Sequence, residues 1–282
     1  MRSVFCVLAT GVSLIGCTTG ADPIETGLDD SDSEQGARPP TADAGPDRTV
    51  APLSAVSLDA SASTDPDGVV EHWQWAFTTR PVGSRAELSD PTAASPFFPA
   101  DLAGDFALTL VVTDDEGHES AVADELVVHS SPSEQKFWVQ ISWPEAADID
   151  LHLLKADASI FDADGDVNWC NENPDWGTPS EPKDDPSFLA DSAVGPGVEA
   201  ISIQMPASGE TYTIAAHYFG GCTGGCGPVT VSAQVFIDGQ PTWFATSVLT
   251  AQHDVWKAAS YSLEGGVTAV GTSSSDSTSG CN

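Results

Sequence analysis

The chain has 282 residues, with nine Lys and Arg against 42 Asp and Glu and a net charge of −33. That balance excludes binding to nucleic-acid backbones, which depends on Lys and Arg. It also leaves most acids without an internal cation, so the majority serve to keep the surface soluble. The length suffices for two domains after export processing.

Residues 1–16 read as a signal peptide. Arg2 supplies the positive start, and Val4 to Ile15 is an apolar run too short to span a bilayer as a stable helix. The run ends in Leu14-Ile15-Gly16-Cys17, which resembles the bacterial lipobox, where the Cys becomes the lipidated first residue of the mature protein. The resemblance implies acylation of Cys17. Several acyl chains anchor stably, since each buried methylene contributes about 0.8 kcal/mol. Thr18 stands where such lipoproteins carry an Asp when retained in the inner membrane. The resemblance therefore implies an outer-membrane lipoprotein, facing either the periplasm or the cell surface, with the membrane as a partner through its lipid. Residues 17–39 hold almost no large apolar side chains after the Cys and predict a disordered linker.

Of six cysteines, Cys6 leaves with the signal and Cys17 takes lipid. Cys170, Cys222, Cys226 and Cys281 remain in an oxidising compartment, and four thiols allow three pairings. The Gly-rich run Gly221 to Gly227 is flexible enough to close locally, which favours Cys222–Cys226 and leaves Cys170 and Cys281 open. So short a loop adds only about 2 kcal/mol. A zinc site on these thiols is the rival reading, and the absence of paired C-x-x-C spacing speaks against it.

Residues 40–130 predict an immunoglobulin-like β-sandwich, because short alternating strands recur between Gly, Pro and Asp clusters. Val56 and Leu58 alternate with polar residues. Trp73 and Trp75 share a face, as do Phe106, Leu108, Leu110 and Val112. The opening Ala44-Gly45-Pro46-Asp47, the run Leu58 to Ser63 leading into Asp65-Pro66-Asp67-Gly68, Trp73-Gln74-Trp75, and Gly104-Asp105-Phe106 through Gly117 resemble the PKD (polycystic kidney disease) repeat. The resemblance implies a spacer or adhesion unit of a surface protein, without catalysis of its own. The insertion Thr79 to Pro99 is longer than the simplest repeats carry. Asp65, Asp67, Asp114 and Asp115 could be read as calcium ligands, but Asp-Pro-Asp-Gly is a turn sequence in its own right.

After a polar linker at 131–135, residues 136–265 predict a second antiparallel sandwich, and the Ser-, Thr- and Gly-rich residues 266–282 a flexible tail. No helical period of useful length occurs, so the fold class is all-β. The second domain resembles an uncharacterised domain found behind such repeats in bacterial surface lipoproteins. It does so through Trp143, Asp148 to Leu153, Asn168-Trp169-Cys170, Asn173 to Gly177, Asp184-Asp185-Pro186, Asp191, Gly195 to Glu199 and His217-Tyr218. No known activity comes with that resemblance.

The acids of this domain carry the strongest chemical signal. Along Asp148-Ile149-Asp150-Leu151-His152-Leu153, strand alternation sends the aliphatic residues to a core and Asp148, Asp150 and His152 to the other face. Two carboxylates about 4 Å apart repel by roughly 4 kcal/mol at an effective dielectric of 20. A cluster of them calls for a cation, and oxygen ligands select a hard one, calcium first. The predicted calcium ligands are Asp148, Asp150, Asn168, Asp184, Asp185 and Asp191, holding the 155–199 excursion in place. The Asp162-Ala163-Asp164-Gly165-Asp166 run lacks the Gly and Glu that an EF-hand needs, with Val167 and Asn173 in their places. His152, His217 and His253 are scattered in sequence and read as sheet histidines bonded to acids.

The pattern predicts a non-catalytic, lipid-anchored surface protein, calcium-stabilised, with a structural, adhesive or ligand-binding role toward a polysaccharide or a surface protein. Enzyme signatures such as H-E-x-x-H or a P-loop are absent from the sequence. Two alternatives are carried. One is a carbohydrate-binding module using exposed Trp169, Trp176, Trp243 and Trp256. The other is a metal-dependent hydrolase centred on Asp150 and His152.

Overall fold

The computed structural model describes residues 38–221 and 227–277. The signal, Cys17, the linker up to residue 37, the Cys222–Cys226 loop and Cys281 lie outside the described residues. The described residues contain no helix, in agreement with the all-β expectation.

The first sandwich has six strands: β1 (Arg48–Val50), β2 (Ser54–Ser57), β3 (Val70–Thr79), β4 (Phe97–Ala100), β5 (Gly104–Asp114) and β6 (Asp124–Ser130). A four-stranded sheet runs β1-β6-β5-β3, and β2 pairs with β4 in a second sheet. β1 lies parallel to β6, and the other pairs are antiparallel. The period-2 pattern of β5 buries Phe106, Leu108, Leu110 and Val112. They meet Val56, Leu58, Trp75, Phe98, Leu126 and Val128 in one core. The Asp turns work as turns. Asp115 accepts from the Val69 N–H at 3.0 Å, and Asp114 accepts from the N–H groups of Glu116 and His118 at 2.9 and 2.8 Å.

The second sandwich has ten strands: β7 (Phe137–Trp143), β8 (Asp148–Leu154), β9 (Asp166–Val167), β10 (Pro186–Ala190), β11 (Gly197–Ile203), β12 (Thr211–Gly220), β13 (Val229–Ile237), β14 (Gln240–Leu249), β15 (Asp254–Ser262) and β16 (Gly266–Ser275). They form two five-stranded sheets, β10-β11-β7-β13-β14 and β16-β15-β12-β8-β9. The core between them takes Phe137, Val139, Ile141 and Trp143 from β7, and Ile149, Leu151 and Leu153 from β8. It takes Tyr212, Ile214, Ala216 and Tyr218 from β12. Each such fully buried side chain contributes about 1.5–3 kcal/mol.

Two expectations change. Residues 266–275 are a strand rather than a tail, because their backbone completes the antiparallel ladder of β15 from Ser262↔Gly266 to Asp254↔Ser275. Polar composition misled here: an edge strand with one open face can be almost entirely polar. The 131–135 linker is also a tight turn, with the Gln135 N–H bonded to Pro132 O at 2.9 Å.

The two sandwiches meet at the outer face of β7. The Gln140 side chain, 3% exposed, accepts from the Ala103 N–H at 2.9 Å and donates to Ala103 O at 3.0 Å. It also accepts from Trp138 Nε1 at 3.1 Å. Trp138, Phe236, Ala200 and Ala103 pack around it. Residues from Ala37 onward form one compact unit.

Candidate metal centre

β8 is buried on both faces. Its odd-numbered residues enter the core, and Asp150, His152 and Leu154 face outward onto a second, smaller apolar layer. β12 pairs with β8 so that His217 stands opposite Asp150 and Ala215 opposite His152. Directly opposed side chains on one face have Cβ atoms about 4.5–5.5 Å apart. The ladder alone therefore brings one carboxylate and two imidazoles to the same spot.

The 155–169 segment roofs that spot. Ile160 packs with Leu154, Ala215 and Val255, and Ala158 and Phe161 pack against them. The Phe161 ring meets His152 edge-on at 4.9 Å and His217 at 5.7 Å, and Phe219 meets His217 at 6.1 Å. Under this roof His152 and His217 are 0% exposed and Asp150 2%.

Asp166, on β9, orients the first imidazole. Its Oδ2 lies 2.6 Å from His152 Nδ1 and also accepts from the Phe161 N–H at 2.6 Å and Asn168 Nδ2 at 2.8 Å. A carboxylate can only accept, so the proton sits on Nδ1 and the lone pair of His152 is at Nε2. That Nε2 has no hydrogen-bond partner among the described residues, nor do Asp150 Oδ2 and both ring nitrogens of His217. One ligand atom from each of Asp150, His152 and His217 falls within 4.8 Å of the others.

Around this trio the acids are electrostatically crowded. Burial pushes the Asp148 carboxyl up to about 7, helped by the nearby charges of Asp150 and Asp191. Burial raises Glu199, on β11, well above the ordinary carboxylate range, and the same two acids add to it. The Leu151 N–H, donating to Glu199 Oε2 at 2.6 Å, pulls the other way.

The six-residue oxygen cage expected from sequence does not assemble. Of Asp148, Asp150, Asn168, Asp184, Asp185 and Asp191, only Asp150 belongs to the trio. Asp148 lies near both Asp150 and Asp191, and Asp191 is exposed. Asn168 reaches the centre one step removed, through Asp166. Asp184 and Asp185 instead cap the 175–178 turn, accepting from the N–H groups of Thr178 at 2.8 Å and Trp176 at 2.6 Å. The physical reason is local: those turn N–H groups need acceptors, and the adjacent carboxylates supply them. Asp162 likewise bonds the N–H groups of Asp164 and Gly165, both at 3.0 Å, as a turn residue.

Sequence reading missed His217 and Asp166. For His217 alternation gave its strand face, since Ala215 and His217 interleave with the core residues Ile214, Ala216 and Tyr218, as Asp150 and His152 do with Ile149, Leu151 and Leu153; Asp166, on the two-residue β9, gave no such signal. The tryptophans do not form a stacking surface. Trp176 and Trp256 are buried, and Trp169 and Trp243 are partly buried against the core. Trp176 stacks on Tyr212 at 5.9 Å. Cys170 is disulfide-bonded.

Comparison with known proteins reaches the first sandwich. Residues 37–128 match the family model described as PKD domain. No curated protein matches the chain. Among solved structures, the chain is similar to the PKD domain from KIAA 1837 protein, at 26% identity over 35% of this chain and 93% of that one, with a TM-score of 0.28. It is also similar to a nucleoside hydrolase-related hypothetical protein from Saccharophagus degradans, described as associated with carbohydrate metabolism. That likeness has 20% identity over 33% of this chain and 26% of that one, with a TM-score of 0.29. A third is BT4661, a SusE-like surface located polysaccharide-binding protein from Bacteroides thetaiotaomicron, at 7% identity over 76% of this chain and 34% of that one, with a TM-score of 0.25. The PKD match ends at residue 128, ahead of every residue of the metal centre.

Proposed function

We propose that the protein is a non-catalytic display module of the cell envelope. A lipid on Cys17 anchors it to the outer membrane, the PKD-type sandwich serves as a spacer, and the second sandwich is presented to a polysaccharide or a surface protein. The observation that carries this reading is the junction at Gln140 and Ala103, where two buried hydrogen bonds join a PKD-type domain to its neighbour. A spacer that presents a second domain gains from being stiff, since a fixed orientation lowers the ordering cost of binding. The polar centre on β8 and β12 lies beneath a roof of side chains, which suits a structural role better than turnover of a substrate.

The test is fractionation of cells expressing the full chain or Cys17→Ala, with a clickable fatty acid as label and externally added protease as the probe of display. Wild type is expected in the outer-membrane fraction, labelled and clipped from outside, and the variant unlabelled and released. A wild-type chain that is unlabelled and soluble would overturn the anchoring. Hydrolysis of envelope polysaccharide that Asp150→Asn abolishes would overturn the non-catalytic reading.

A further inference from the structure

We infer that Asp150, His152 and His217 bind a single borderline transition cation, zinc in the first place, rather than calcium. The inference is independent of the surface-display reading. Its first support is donor type: two imidazoles and one carboxylate match zinc and its neighbours, whereas calcium takes oxygen. The second is spacing. Zinc–ligand bonds of about 2.0–2.1 Å put tetrahedral ligand atoms roughly 3.3 Å apart. Asp150 Oδ2 and His217 Nδ1 are 3.5 Å apart, yet neither has a hydrogen-bond partner among the described residues.

The third support is the cost of the alternative. Buried polar atoms without partners each cost about 1–3 kcal/mol, and here Asp150 Oδ2, His152 Nε2 and the two His217 nitrogens converge in one buried site. A cation satisfies them together. The fourth is the supporting shell. The carboxylate on His152 Nδ1 is the arrangement that fixes the tautomer and raises the basicity of a metal-bound imidazole. Asp166 is thus a positioning residue, itself held by the Phe161 N–H and Asn168. His253 stacks beside His217 at 6.3 Å with its Nδ1 buried and without a hydrogen-bond partner among the described residues, so a further imidazole stands next to the three. Enclosure by Phe161 and Ile160 makes the ion a pin between the β8–β12 ladder and the segment roofing it.

The full chain, purified in detergent and stripped with chelator, would be titrated with Zn2+, Co2+ and Ca2+. One equivalent of Zn2+ or Co2+ is expected to bind with a Kd in the micromolar range or tighter. Co2+ should give the visible bands of a low-coordinate nitrogen and oxygen site, and Ca2+ should not displace either ion. His152→Gln and His217→Gln should each weaken binding at least 100-fold, and Asp166→Asn about 10–100-fold. Absence of stoichiometric Zn2+ or Co2+ binding would overturn the site, as would displacement by Ca2+ or full affinity in both His variants. Should the variants not fold, the imidazole NMR resonances of the wild type decide. Zn2+ must shift those of His152 and His217, and resonances that stay put sink the assignment.

Discussion

Glu199 should contribute to the pH response of the second sandwich. Its carboxyl is fully buried and raised well above its ordinary value of 4.5, so the folded chain keeps a proton that the unfolded chain releases. Folded protein then binds more protons than unfolded, and stability falls as pH rises past about 4.5 until the buried carboxyl itself ionises. Asp148, at about 7, adds to the same slope. Glu199→Gln keeps an acceptor for the Leu151 N–H and removes the titration. In EDTA, the variant is expected to melt at or above the wild-type midpoint at pH 8, with the gap closing at pH 4. A wild-type midpoint that rises between pH 5 and 8 as steeply as the variant's would refute this. At this scale the sequence was half legible. Asp150 and His152 could be placed on one strand face from alternation alone. His217 and Asp166 could not, because their nearness depends on which strands pair, and pairing is a non-local property.

The strands themselves were more readable than the edges. β5, β7, β8 and β12 announce themselves by apolar alternation, and each buries the face its pattern predicts. β16 does not, since all but its first two residues are exposed and its sequence is that of a loop. Its contribution is the backbone ladder to β15. Successive residues of an edge strand point their N–H groups alternately toward and away from the partner. Proline at both Thr268 and Ala269 must therefore delete at least one ladder bond. The double variant is expected to lose on the order of 1 kcal/mol in urea unfolding. It should also expose β15 as a new edge, read as concentration-dependent association by light scattering. A variant as stable and monomeric as wild type would mean the ladder contributes nothing.

The two sandwiches should unfold together. Gly83, in the insertion before β4, has φ +90° and lies against the outer face of β7, where an added Cβ would collide with Ser142 Oγ. Arg85 from the same insertion bonds Pro144 O at 3.0 Å. The stretch that departs most from the simplest repeats thus adds to the Gln140–Ala103 junction between the domains, and sequence reading saw it only as an irregularity. Gly83→Ala combines backbone strain with overpacking and should cost about 1–3 kcal/mol. Calorimetry is expected to show one transition for wild type and a broadened or split one for the variant; two resolved transitions in wild type would disprove the coupling. The parallel pairing of β1 with β6 has a mechanical corollary. Chain enters β1 at Arg48 and leaves β6 at Ser130, at opposite ends of that paired segment. Once tension from the amino-terminal side has freed the Thr41–Thr64 bridge and Ala44, it pulls those hydrogen bonds lengthwise, so that they must break in concert rather than peel one by one.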